Sequence, residues 1–317
     1  MAKLVRKIMV LVVAVATMLV LLIAAPFPRN DYFGLYKIKH RDIENITSNK
    51  IIFVGGSGVF YSISAEIIEK RIHNYHAYNM GLNAGLGLQF NLDEIKPYLK
   101  AGDIVVLIPE HGNFDGAFGG SVLTLLALDS VPELLQHTSY ERMLYLLWNF
   151  GLTFIPIKCQ YYLNDIVLYT TNTSPMMNKN GDIKTHTAVK DVANMDFVLK
   201  VNYSSSKYKA CINILNDFSR YCTEKNIDVI LSFPAIPAPQ YLKARQNLKL
   251  LYENISINTT IPVLYGPEHS VYPVEMFDDT IYHLNSQGKI LNSSRILNRL
   301  KEVFPRVVDT NTSFVNY

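Results

Sequence analysis

Ile51-Ile52-Phe53-Val54-Gly55-Gly56-Ser57-Gly58 is the stretch on which the reading of this chain turns. Four consecutive apolar residues suit a strand covered on both faces, and the two glycines then allow a tight turn that lifts a serine off the strand end. At the far end of the same region Asp279-Thr280-Ile281-Tyr282-His283 sets a carboxylate and an imidazole four residues apart, within reach of one turn of chain. A serine hydroxyl is a weak nucleophile until a base takes its proton and a third group orients that base. The two segments together hold all three residue types, so serine-based acyl chemistry is the reading to test.

Outward from 51–54, apolar runs alternate with helical patterns. Strands are expected at 51–54, 75–80, 104–108, 229–233 and 262–265, and helices at 65–71, 92–99, 207–225, 241–255 and 287–303. This alternation predicts an α/β fold, a three-layer α/β/α sandwich with a mainly parallel sheet, whose ligands gather beyond the carboxyl ends of the strands. Ser57 falls at that edge. The rhythm breaks over about 112–202, which reads as an insertion or lid: an apolar helical stretch at 122–135, an aromatic-rich one at 140–169 with the only tryptophan, Trp148, and a polar loop at 170–186.

The N-terminus is of another kind. Residues 8–25 are apolar apart from Thr17, and as a helix they would run about 27 Å, close to the thickness of a bilayer's hydrocarbon core. Lys3, Arg6 and Lys7 precede them, which places the chain after Pro26 outside the cytoplasm. A retained single-pass anchor in the cytoplasmic membrane is favoured over a cleaved signal peptide, because no Ala-x-Ala site precedes Pro26 and Pro28. The expected organisation is therefore 1–30 as cytoplasmic stub, transmembrane anchor and linker, and 31–317 as an extracytoplasmic domain. The 30 basic and 27 acidic residues form no basic stripe, so nucleic acid is not an expected partner. Cys159, Cys211 and Cys222 have neither zinc nor CxxC spacing, and neither a metal nor a cofactor is expected.

The serine turn matches no common motif. Val59 replaces the last glycine of a G-x-S-x-G elbow, no Gly-Lys-Ser/Thr follows, and Tyr61 stands where a dinucleotide fingerprint needs glycine. A helix starting near Ser62 or Ser64 would place turn amides and a helix N-terminus beside the hydroxyl, where they could stabilise an oxyanion. Asp279 is the better partner for His283, with Asp278 facing solvent. Gly81, Gly85 and Gly87, after the second strand, permit close backbone approach to a ligand. After the third strand, Asn113 offers an amide donor, whereas His111 has no evident group to orient it and reads as structural or substrate-facing.

Serine after the first strand, glycine after the second, asparagine after the third and an Asp–His pair near the C-terminus resemble the SGNH/GDSL hydrolase superfamily over about 51–304. The blocks 79–82, 99–110 and 279–285 are similar to a membrane-anchored bacterial branch that includes the D-alanyl transfer protein of teichoic acid modification and the O-acetyltransferases of exported polysaccharides. The resemblance implies a flavodoxin-like sandwich with Ser57 as nucleophile, His283 as base and Asp279 as its orienting acid. The amides of Ser57 and of Gly81 or Gly85 would form the oxyanion hole, with Asn113 as a further donor. It also implies an acyl donor and a carbohydrate acceptor as partners, and possible work with a membrane-bound acyltransferase. Gly-Gly-Ser stands here for the usual Gly-Asp-Ser, the Gly-x-Asn-Asp of the third strand is missing, and Asp279 precedes His283 by four residues rather than three. A catalytically inactive scaffold binding glycan or a membrane partner, and a structural or sensory ectodomain in which the insertion makes the contacts, are the alternative readings.

Overall fold

The computed structural model describes residues 1–25, 34–116, 119–137, 140–164, 177–184 and 192–307. The chain divides into a helical unit, Met1–Lys37 with Ser121–Ser174, and a sheet unit, Ile38–Gly120 with Pro175–Tyr317.

Four parallel strands make the main sheet: β1 (Asn49–Gly55), β2 (Tyr75–Asn79), β3 (Ile104–Ile108) and β4 (Asp228–Leu231), in the order β2-β1-β3-β4. Alternate residues feed two cores. Ile52, Val54, Val105, Leu107, Val229 and Leu231 pack on one face with α5 (Leu88–Asp93), α9 (Ser206–Glu224) and α10 (Ala238–Asn258). Ile51, Phe53, Ile104, Val106 and Ile230 pack on the other with α3 (Ser57–Ser62), α4 (Ala65–Glu69) and α11 (Ser286–Val303). Burial on both faces is why 51–54 of β1 and the whole of β3 read as unbroken apolar runs, and it gives the three-layer α/β/α architecture. At the amino edge of the sheet, Lys50 and Asp103 form a fully buried pair at 3.0 Å. The site lies at the opposite edge.

Several elements differ from the sequence expectation. The fifth strand at 262–265 reduces to a single parallel bridge, Leu231 to Val263; Pro262 has no N–H to give a ladder, and the Leu264 carbonyl is taken by Arg299 Nε at 3.0 Å. The helix expected at 92–99 is instead α5, ending at Asp93, followed by one 3-10 turn at Lys96–Tyr98, because Pro97 interrupts it. A small parallel pair, β5 (Ile236–Pro237) with β6 (Val271–Tyr272), was not anticipated.

The described part of the expected polar loop is 177–184. It lies along the free edge of β2, where Asn79 N–H donates to Asn180 O at 2.9 Å, and Lys39, on α2 (Gly34–Glu44), donates to Gly181 O at 2.8 Å. The rest of that loop, 170–176 and 185–186, is outside the described residues.

The helical unit contains α1 (Ala2–Ala24), α6 (Ser121–Ser130), α7 (Tyr140–Asn149), a π-helical turn at Phe150–Phe154 and α8 (Ile155–Asn164). The helical stretch expected at 122–135 stops at Ser130, before Pro132, and goes on as a 3-10 turn. Lys158 and Asp129 tie α8 to α6 at 2.8 Å, with the lysine fully buried. α1 is long and apolar enough to cross a bilayer, or to act as a signal sequence.

Candidate functional site

A helix does start at Ser64, the cap of α4, but another that the sequence reading missed comes before it, and Ser57 is the first residue of that helix, α3. The reason is steric. A Cβ on Gly55 would lie 2.3 Å from the Ile108 carbonyl, and one on Gly56 2.5 Å from Ala84 Cβ, so only glycines let β1 turn this sharply between the ends of its neighbours. α3 runs six residues, and the chain is extended at Ile63 before α4 restarts with Ser64 as its cap.

The first turn of α3 meets a carboxylate that the sequence reading gave no role. Glu110, just past β3, is 4% exposed and accepts from Gly58 N–H at 2.9 Å and from the Ser57 hydroxyl at 3.3 Å. Burial pushes its carboxyl above the ordinary glutamate range, while the Gly58 amide, His283 and Ser57 oppose that shift. Its signal was position alone, as the first polar residue after an apolar strand.

The other half of the site is the loop before α11. His283 Nδ1 meets Asp279 Oδ1 at 2.7 Å, which holds the ring proton on Nδ1 and leaves Nε2 as the basic nitrogen. α3 grips this loop at three points. Ser62 Oγ donates to Tyr282 O at 2.7 Å and accepts from Leu284 N–H at 3.0 Å, bracketing His283. Tyr61 stacks on the imidazole, with centroids 4.0 Å apart and planes at 19°. Tyr61 lies four residues after Ser57, on the same helical face. Ser57 and the tyrosine that stacks on the imidazole thus share one face of one short helix. Among the described residues they are not hydrogen-bonded to each other, since the hydroxyl is turned to Glu110.

Asp278 does not face solvent. It is 8% exposed, and burial, then Asp279, raises its carboxyl. Asp279 is the more open of the two, with a side chain 41% exposed, yet it is the one that holds His283.

The amides expected to line an oxyanion hole have other acceptors here. Gly81 N–H donates to Asn79 Oδ1 at 3.0 Å and Gly85 N–H to Asn83 Oδ1 at 2.8 Å. Gly81 also serves packing, since a Cβ there would lie 2.5 Å from Val59. Asn113 is different. It is 2% exposed, and among the described residues neither its Nδ2 nor its Oδ1 has a hydrogen-bond partner. A buried amide left this way costs about 1–3 kcal/mol, and a ligand oxygen would relieve that cost. His111 is oriented after all, its Nδ1 meeting the Tyr282 hydroxyl at 3.0 Å. Burial lowers its pKa to about 3, so it stays neutral and is unsuited to accept a proton.

No protein-family model matches the chain, and no curated protein does. Among solved structures the chain is similar to the crystal structure of protein YXIM from Bacillus subtilis, at 15% identity and a TM-score of 0.33, over 80% of this chain and 57% of that one.

Proposed function

We propose that this chain is a membrane-anchored, serine-dependent O-acyltransferase or esterase acting on cell-envelope or exported polysaccharide, in the manner of the SGNH-like proteins that its motifs resemble. Ser57 Oγ attacks an ester or thioester carbonyl as His283 Nε2 takes the hydroxyl proton. Asp279 holds the imidazolium. The tetrahedral oxyanion faces the Ser57 N–H at the start of α3 and the Asn113 amide. Its collapse breaks the bond to the leaving group, which receives the proton from His283, and an acyl-serine remains. A carbohydrate hydroxyl or water then repeats the sequence in reverse and releases the acyl group. α1 holds the enzyme at the outer membrane face, where a membrane-borne donor or a membrane acyltransferase shares a thin layer with it.

The observation that carries this reading is the grip of α3 on the histidine loop. One six-residue helix presents the hydroxyl at its first position, stacks Tyr61 on the imidazole and clamps both sides of His283 through Ser62. The hydroxyl's bond to Glu110 favours the second reading, an inactive scaffold that binds glycan or a membrane partner, because an engaged serine is not a primed one.

A fluorophosphonate probe separates the two, since only an activated serine reacts with it. The wild-type chain is expected to label, and both Ser57→Ala and His283→Ala to lose labelling. Acetyl-ester turnover in Ser57→Ala should fall by roughly four to six orders of magnitude while folding is kept. A folded Ser57→Ala protein with full turnover would refute the assignment.

A further inference from the structure

The helical unit exposes apolar surface that the catalytic reading leaves unused. Leu144 is 50% exposed, Leu147 62%, Trp148 73% and Leu152 67%, while Leu146 and Phe154 of the same stretch are buried. The stretch therefore has an inner apolar side already packed, and a second apolar side open. Positions 144, 147, 148 and 152 recur at helical spacing from α7 into the π-helical turn, so they form a stripe and not scattered single residues.

From the exposed apolar stripe, its length and its connection to α1, we infer that this face lies in the lipid headgroup–acyl boundary of the membrane that α1 crosses, with Trp148 as its anchor. The inference rests on the reading of α1 as a membrane anchor.

Residues 143–157 contain no charged side chain. That is 15 residues, too few for a spanning helix, which needs about 20, but a suitable length for a segment lying in the interface. Lys158, which ends the run, does not interrupt the open side, since its ammonium is buried against Asp129. α8 follows directly from the π-helical turn and packs on α1 within the same unit. No residue of the apolar span of α1, Ala2–Leu21, is buried in the protein. A bilayer around α1 accordingly meets α8, the element that follows the stripe directly in the chain. Tryptophan suits that depth, since its ring is apolar and its indole N–H finds water or headgroup oxygens. The stripe would thus be a second hold on the membrane beside α1.

Trp148 is the only tryptophan in the chain, so the protein carries its own reporter. The full chain is reconstituted into phosphatidylcholine vesicles with bromines either high on the acyl chains or near their ends, and flotation is measured on the same samples. The expected result is that the protein floats and Trp148 emission is lost in brominated vesicles, more with the shallow bromines than the deep ones. In Leu147→Ser/Leu152→Ser, two exposed positions, flotation should persist with weaker quenching. Flotation with unquenched Trp148 overturns the inference and leaves the anchor reading standing; a blue-shifted but unquenched emission does the same and points to a protein cover, such as a second copy. Stronger quenching by deep bromines also overturns the interfacial placement. Failure to float refutes the anchor, and this inference with it.

Discussion

Two buried carboxylates sit at the heads of consecutive short helices, and their difference separates scaffold from site. Asp182 accepts from Ala65 N–H at 2.8 Å, Glu66 N–H at 2.9 Å and Ser64 Oγ at 3.1 Å at the start of α4. Glu110 accepts from Gly58 N–H at 2.9 Å and Ser57 Oγ at 3.3 Å at the start of α3. The local device is the same: an acid, an amide and a serine at a helix N-terminus, where the dipole favours negative charge. The surroundings are not. Asp182 is attended by the buried ammonium groups of Lys39 and Lys289, whose pKa values it props up against desolvation. Glu110 has no lysine among its influences, only the imidazole of His283. More donors and two cations make Asp182 a structural joint. Fewer donors leave Glu110 beside the hydroxyl of Ser57, the proposed nucleophile.

The largest effect should come from Asp182→Asn. It keeps the shape, but sets an NH2 against donor N–H groups and takes from Lys39, whose pKa burial already lowers to about 7, the largest of its counter-charges, leaving Glu94 and Asp42. Removing one member of a buried ionic cluster costs about 3–5 kcal/mol, measured as a fall in the urea unfolding midpoint. A loss under about 1 kcal/mol would mean that Asp182 is no better secured than Glu110, and the contrast would fail.

That contrast was only half legible in the sequence. The strands and their order along the chain could be read because a sheet buried on both faces writes itself as apolar runs, and glycine after β1 marks a turn that no side chain would fit. Asp279 and His283 were legible because they are local, four residues apart on one loop. Partnerships of long separation were not. Asp182 meets Ala65 across 117 positions and Glu110 meets Ser57 across 53, and neither residue's own neighbours in sequence announce it. Tyr61 and Ser62 were missed for a related reason. Their role appears only once α3 is seen to start at Ser57 and to turn both residues toward the histidine loop. Asp278 was misjudged because two adjacent aspartates look alike in sequence, and burial alone tells them apart.

A smaller effect, on turnover alone, is expected of Asp279→Asn. The imidazole loses the group that fixes its proton on Nδ1, and acetyl-ester turnover should drop roughly 10²-fold, within the range that proton transfer by a positioned base contributes. Stability should move by no more than about 0.5 kcal/mol, because Asp279 is 41% exposed and such pairs are screened. If turnover fell less than about threefold, the imidazole's acid would have to be sought elsewhere, and Glu110 would be the first candidate.

The smallest change tests Glu110 itself. Glu110→Gln keeps an oxygen where Gly58 N–H and the Ser57 hydroxyl need it, so turnover should stay within about tenfold of the wild type, the worth of one hydrogen bond. What should change is the pH dependence of stability. Glu110 is raised in the folded chain by burial, so between the ordinary glutamate range and its folded value the native state holds a proton that the unfolded chain has released. Stability therefore falls as pH rises through that window, and the cost is fully present above it. Gln does not titrate. Relative to the wild type, the variant should gain stability in urea unfolding as pH rises from about 4 to about 8, with the gain levelling off once Glu110 is ionised in both states. Asp278, raised by its own burial, is present in both proteins and drops out of the difference. A variant that instead lost stability with rising pH would show Glu110 to be an anion that the fold stabilises, and the distinction between the two helix heads would have to be given up.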